Sequence, residues 1–244
     1  MVTDQRETGA PAGHGLTGVA DAGAFLSRLT RLDRTALVRL RSGHPADPPG
    51  TVRRTALWAR LPWAVLVSRT VFGTGPGDAT VSASGLLDEL ARGGAGLPPR
   101  RDADWRWPVP MSAGRVMETV SGADLRRIAS AAAGTLRTAV VQGVAGRAVG
   151  QRAVRDALLD HVALVVTPSA ADGVSALPRI EVSQRLVQAV VRMGFLGPEG
   201  AAEGDRVQVR QAGRWIGLSA PYGVAWLQKV SDLAVKVVQV PPNG

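Results

Sequence analysis

The sequence predicts an α+β protein: an N-terminal antiparallel sheet with short helices, central helices, and a C-terminal helix followed by β-hairpins. Two observations predict it. Apolar residues alternate with polar ones over residues 35–83, recur every three or four positions through the middle of the chain, and alternate again over 206–228. Clusters of Gly and Pro separate these stretches, as turns and loops require. A hydrophobic content of 45% in 244 residues is enough to bury a core without disulfides or metals.

Met1 to Gly18 lacks periodicity and reads as a disordered tail whose loss should cost little stability. Asp21–Leu32 places Phe25, Leu26 and Leu29 on one side of a short helix. Thr35–Arg41, Arg53–Leu61, Ala64–Phe72 and Ala79–Ala83 read as strands, the middle two joined tightly at Pro62-Trp63. Ser84 is placed to cap a helix over Gly85–Arg92. Gly93–Pro110 is linker-like, and Ser121-Gly-Ala-Asp124 has capping-box spacing before the most periodic helix of the chain. A second helix covers Gln151–His161, a buried strand Val162–Thr167, and a third helix Ile180–Met193, with Gly194 as its stop. Arg206–Gln211, Arg214–Ser219 and Val224–Gln228 read as strands, and Leu233–Val240 as an edge strand. The implied organisation is a tail (1–18), an antiparallel β-sheet domain (19–95), a linker (96–118) and a helical domain with a C-terminal β-meander (119–244). The last of these either stands apart or packs as one unit with residues 19–95.

Composition excludes several chemistries. With no cysteine there is no thiol nucleophile, no Cys-ligated zinc and no disulfide. The N-terminus has Asp4 and Glu7 and no apolar h-region, and no stretch approaches 18 uncharged apolar residues, so the expectation is a cytoplasmic protein without membrane contact. The net charge is +9, and only Lys229 and Lys236 among 29 basic residues are lysine. Chain-wide enrichment in Ala, Gly, Pro and Val attributes the arginine preference to a GC-rich coding sequence. The excess of basic over acidic residues remains, and it favours an anionic partner.

No catalytic constellation is present. A Gly-x-Ser-x-Gly elbow, an H-E-x-x-H motif and a calcium loop are all missing. His14 falls in the tail, His44 in a proline-rich loop and His161 at a helix end, which suits structural or solvated roles better than a metal site. Asp88-Glu89 form a solvated face, and Asp102 and Asp104 compensate Arg100, Arg101 and Arg106. Gly73-Thr-Gly75-Pro-Gly77 follows a strand, but it has no lysine and Pro76 removes an amide donor, so it reads as a turn and not a phosphate loop. The Gly143–Gly150 stretch reads as a hinge. Of the six tryptophans, Trp58, Trp63, Trp215 and Trp226 read as packing; Trp105 and Trp107 are candidates for exposed stacking. No cofactor or metal is expected, and the balance is against an enzyme.

Two spans contain no acidic residue. Leu125–Arg155 carries arginines at 126, 127, 137, 147, 152 and 155; the other runs from Arg206 to Lys229. Gathered on one surface they would hold phosphates; scattered, they merely solvate helices. The C-terminal cadence resembles a winged-helix domain: a recognition helix at Ser183–Met193, then a hairpin wing at Arg206–Ser219. The resemblance implies that Gln184, Arg185, Gln188 and Arg192 face a groove of nucleic acid and that Arg206, Arg210 and Arg214 contact phosphate. The leading expectation is therefore a non-enzymatic binding or regulatory protein whose anionic partner is nucleic acid. Alternatives are a protein-interaction or structural module, with a protein partner or a homo-oligomer, and a small-molecule binder or enzyme assembled from distant residues.

Overall fold

In a computed structural model describing residues 13–42, 52–142, 151–167, 179–200 and 206–229, strands from both ends of the chain share one sheet. In chain order the elements begin with α1 (Val19–Leu32), β1 (Leu37–Ser42), β2 (Arg54–Arg60), β3 (Leu66–Phe72), β4 (Asp78–Ser82) and α2 (Ala83–Ala91). They continue with β5 (Arg115–Ser121), α3 (Gly122–Gln142), α4 (Gln151–Asp160), β6 (Val162–Val166), β7 (Ile180–Ser183), α5 (Gln184–Arg192), β8 (Arg206–Ala212), β9 (Trp215–Ala220) and β10 (Gly223–Gln228). Eight strands pair antiparallel in the order β4-β1-β2-β3-β10-β9-β8-β5, and β6 and β7 form a separate hairpin. The α+β class is as the periodicity predicts.

Register explains why α1, α2, α3 and α5 pack over one face. Val81 pairs with Val38, Val38 with Ala59, Ala59 with Val67, Val67 with Ala225, Ala225 with Leu218 and Leu218 with Val209. Directly paired residues point the same way, so these fully buried side chains form one apolar row across seven strands. Phe25, Leu26 and Leu29 of α1, Leu86 of α2 and Leu186, Val187 and Val190 of α5 close over it as a single core. The Phe25 and Phe195 rings lie parallel within it, 6.4 Å between centroids.

Several details differ from expectation. Residues 180–183 are strand, not helix: Ile180 and Val182 are buried with Glu181 exposed between them, and α5 starts only at Gln184. The helical period of Val182 with Leu186 matches because a strand residue two positions before a helix can share its buried side. Residues 115–118, inside the expected linker, begin β5, whose residues are largely exposed, so its alternation signal is weak. Ser82, not Ser84, caps α2, accepting from Gly85 N at 3.3 Å. Ser121 caps α3 as expected, accepting from Ala123 N at 3.1 Å. The β8–β9 hairpin is no free wing, since β5 and β10 flank it in the sheet. The expected edge strand at 233–240 lies outside the described residues.

Residues 13–18, expected in a tail, are docked. His14 and Leu16 are buried; His14 Nε2 lies 2.9 Å from the Gly94 carbonyl and Nδ1 accepts from Leu16 N at 3.0 Å. A ring nitrogen at each end of this bridge ties the N-terminal segment to the turn after α2. His14→Ala leaves the Gly94 oxygen and the Leu16 amide without these partners, at a cost of about 1–3 kcal/mol. The expected result is a melting temperature lower by about 2–12 °C, measured by circular dichroism. An unchanged melting temperature would show that the docking contributes nothing.

Candidate functional site

Four helices and one turn build a concave surface in which cations outnumber carboxylates. The α5 sequence buries Leu186, Val187 and Val190, so Arg185, Gln188 and Arg192, three and seven positions apart, are left along another side of the helix. Arg152 and Arg155 sit one turn apart on α4, Arg137 comes from α3, and Arg31 from the last turn of α1. All six of these arginines line one groove of about 680 Å³, together with Trp63, Gln184 and Gln188. Asp156 is the carboxylate among the described lining residues. It serves two arginines at once, 3.9 Å from Arg152 and 3.5 Å from Arg155, too far to neutralise either closely.

Elsewhere several described acids are paired locally. Asp78 takes a bidentate pair from Arg39, both contacts at 2.6 Å, which holds its carboxyl below the ordinary value. Asp102 and Asp104 pair with Arg100 and Arg101 at 2.7 Å, the local compensation expected from sequence. Asp21 pairs with Arg69, and Glu89 with Arg92. The net positive charge of the chain is therefore felt where no such pairing occurs.

The groove has a fixed wall. Arg185 donates Nε to Asp160 at 2.6 Å and Nη1 to the Trp63 carbonyl at 2.7 Å, while Trp63 Nε1 donates to the Arg185 carbonyl at 3.1 Å. This reciprocal clasp joins the β2–β3 turn to α5. The hydrogen bond from Arg185 also holds the Asp160 carboxyl below its ordinary value. Arg192 lies over the Trp63 ring, 6.0 Å from its centroid, a cation–π contact that keeps the guanidinium in the groove.

The residues proposed from sequence divide into two groups. Gln184, Arg185, Gln188 and Arg192 come together at the groove, but not as one solvent-facing reading edge. Gln184 is buried, with its Nε2 unpartnered among the described residues; Gln188 Nε2 donates to the Ala129 carbonyl at 3.3 Å. Arg206, Arg210 and Arg214 sit on β8 and the β8–β9 turn, on the sheet and not among the described residues of the groove. Arg210 is engaged by Gln208 Oε1 and by the Ala113 and Gly114 carbonyls, and Arg214 reaches the Lys229 carbonyl at 3.4 Å. Of the arginine-rich span, Arg137, Arg152 and Arg155 enter the groove, whereas Arg126 is turned to the carbonyls of Leu196 and Gly197. Arg31 was missed: nothing local in α1 shows that its last turn ends beside residues more than a hundred positions away. Trp63 was read as hairpin packing; only the clasp with Arg185 reveals its second role.

Comparison with known families and structures places the chain as follows. Residues 15–108 match the model of a family described as Domain of unknown function (DUF8010), and residues 109–232, half of the chain, match that of Domain of unknown function (DUF8185). No curated protein matches. Among solved structures the chain is similar to a DNA polymerase sliding clamp from Pseudomonas aeruginosa, at 13% identity and a TM-score of 0.49 over 87% of this chain and 63% of that one. It is also similar to a sliding clamp from Caulobacter crescentus, at 11% identity and a TM-score of 0.44 over 86% of this chain and 63% of that one. The chain thus spans less than two thirds of the length of either structure.

Proposed function

Because the chain belongs to the family described as Domain of unknown function (DUF8185), which carries no activity with it, we propose a function from the groove itself. The protein is a non-enzymatic binding protein whose helical groove holds a phosphate-bearing polymer, nucleic acid. The observation that carries this reading is the meeting of Arg31, Arg137, Arg152, Arg155, Arg185 and Arg192 on one concavity beside the carboxylate of Asp156. Even with Asp160 assigned to Arg185, the remaining guanidinium groups exceed the charge that can neutralise them. Planar forks of this kind match phosphate oxygens two at a time. Arg137, Arg152 and Arg155 are the phosphate contacts. Arg192, beside the Trp63 ring and donating Nε to Gln188 Oε1 at 3.4 Å, is placed by both for a base or sugar edge.

The test is a titration of fluorescein-labelled oligonucleotide, single-stranded and duplex, at several salt concentrations. Binding is expected at about 25 mM salt, and log K should fall against log[salt] with a slope of roughly −2 to −4, from three or four phosphates neutralised. Absence of binding of either form at that salt would overturn the reading.

A further inference from the structure

A second concavity lies on the other side of the Arg185–Asp160 pair, with a volume of about 740 Å³. That is within the range of small-molecule sites, roughly 300–1,000 Å³. It forms where β3 begins, β9 begins and β10 ends: Leu66, Trp215 and Leu227 all line it, and the register sets Trp226 against Leu66 and Gln228 against Trp215. The β6–β7 hairpin and its flanks supply the facing side through Val162, Glu181 and Ser183. Ile216 and Leu186 extend the apolar lining, and Trp107 adds a second indole with the Arg60 guanidinium 5.1 Å from its centroid.

Charge in this pocket is uneven. Arg185 and Asp160 cancel each other at 2.6 Å, which leaves Arg60, Arg179 and Lys229 against Glu181. Arg179 and Lys229 are exposed at its rim, with no ion pair to either among the described residues. Ser183 Oγ is buried with no hydrogen-bond partner among the described residues. That hydroxyl is closed off from the open cavity, so the polar hold on a ligand comes from the rim cations and not from Ser183.

From this combination we infer a small-molecule site for an amphiphilic anion: an aromatic or branched apolar body between Trp107 and Trp215, with one anionic head at Arg179 and Lys229. Apolar lining alone would take any hydrophobe. The surplus of cations at the rim selects the anion, because a neutral analogue gains the same burial and none of the charge pairing. This site is distinct from the nucleic-acid groove, with which it shares only Arg185 among the described lining residues.

The probe is 8-anilinonaphthalene-1-sulfonate, whose emission rises on leaving water, compared with its uncharged parent N-phenyl-1-naphthylamine. Wild type should bind the sulfonate at one saturable site, with a Kd on the order of 10–100 μM. The neutral parent should bind at least about tenfold more weakly. The double variant Arg179→Glu/Lys229→Glu, both changes being at exposed positions, should weaken the sulfonate at least about tenfold while leaving the circular dichroism spectrum unchanged. Arg137→Glu/Arg152→Glu, in the groove, should leave it unaffected. Equal binding of the neutral parent, indifference to the rim variant, loss of the signal in the groove variant, or unsaturable binding would each overturn the assignment.

Discussion

Phe195→Ala is expected to lower the melting temperature by about 6–20 °C and to leave one cooperative transition, not two. The ring is fully buried and parallel to Phe25, at 6.4 Å between centroids. It also sits against Gly223, where a Cβ would collide with its edge, and its carbonyl accepts from Tyr222 N at 3.1 Å. One aromatic side chain thus contacts α1 from the first half of the chain and the turn before β10 from the second. Truncation of such a phenylalanine costs about 3–5 kcal/mol, the lost transfer energy plus the cavity left behind. For a protein of this size each kcal/mol moves the midpoint by about 2–4 °C. Phe25→Ala should have a comparable effect, and the double variant should cost less than the two singles combined, because each ring loses the same neighbour. The β3–β10 ladder runs through the same junction, with Val67 against Ala225, so unfolding of one half removes hydrogen bonds from the other. Additive costs together with two separate calorimetric transitions would show that the halves are energetically independent. A shift below about 3 °C would show that the core relaxes around the gap.

The elements legible in the sequence are those whose burial pattern is regular. β2 alternates buried and half-buried residues along its whole length, and α1 buries Ala22, Phe25, Leu26 and Leu29 at helical spacing; both were placed to within about two residues. β5 is an edge strand with mostly exposed residues, so no period marked it. β7 and α5 run together with no loop, and only the change from alternate burial of Ile180 and Val182 to helical burial separates them. Pairing partners were beyond reach. No local signal says that β10 joins β3 across more than a hundred and fifty residues, yet that pairing makes the sheet continuous. The site followed the same rule. The acid-free arginine span was visible as composition, and half of its members reach the groove. Arg31 and Trp63 reach it from the other half of the chain through contacts that only the sheet brings about. The sheet arginines lie away from the groove: β8 is interior to the sheet, and Arg210 is held by oxygens of its own neighbourhood.

Replacing Arg137, Arg152 and Arg155 together by alanine is expected to weaken oligonucleotide binding on the order of 100-fold at low salt, since an exposed ion pair contributes up to about 1 kcal/mol and three are removed. The salt slope should flatten by about two to three units, one contact's worth of released counterions for each guanidinium removed. Their exposure makes a folding defect a poor alternative explanation: Arg137, Arg152 and Arg155 are all on solvent-facing parts of their helices, and the nearest carboxylate to the α4 pair lies at 3.5 Å or beyond. Gln188→Ala should act differently, changing preference among sequences with little effect on the slope, because base contacts specify and phosphate contacts position. Arg206→Ala, Arg210→Ala and Arg214→Ala combined provide the opposing test. They lie on the sheet, and Arg210 and Arg214 already donate to oxygens of the protein, so binding and slope should change little. If the sheet triple flattens the slope while the groove triple leaves it intact, the phosphates run along β8 and the β8–β9 turn, and the helical groove is not the interface.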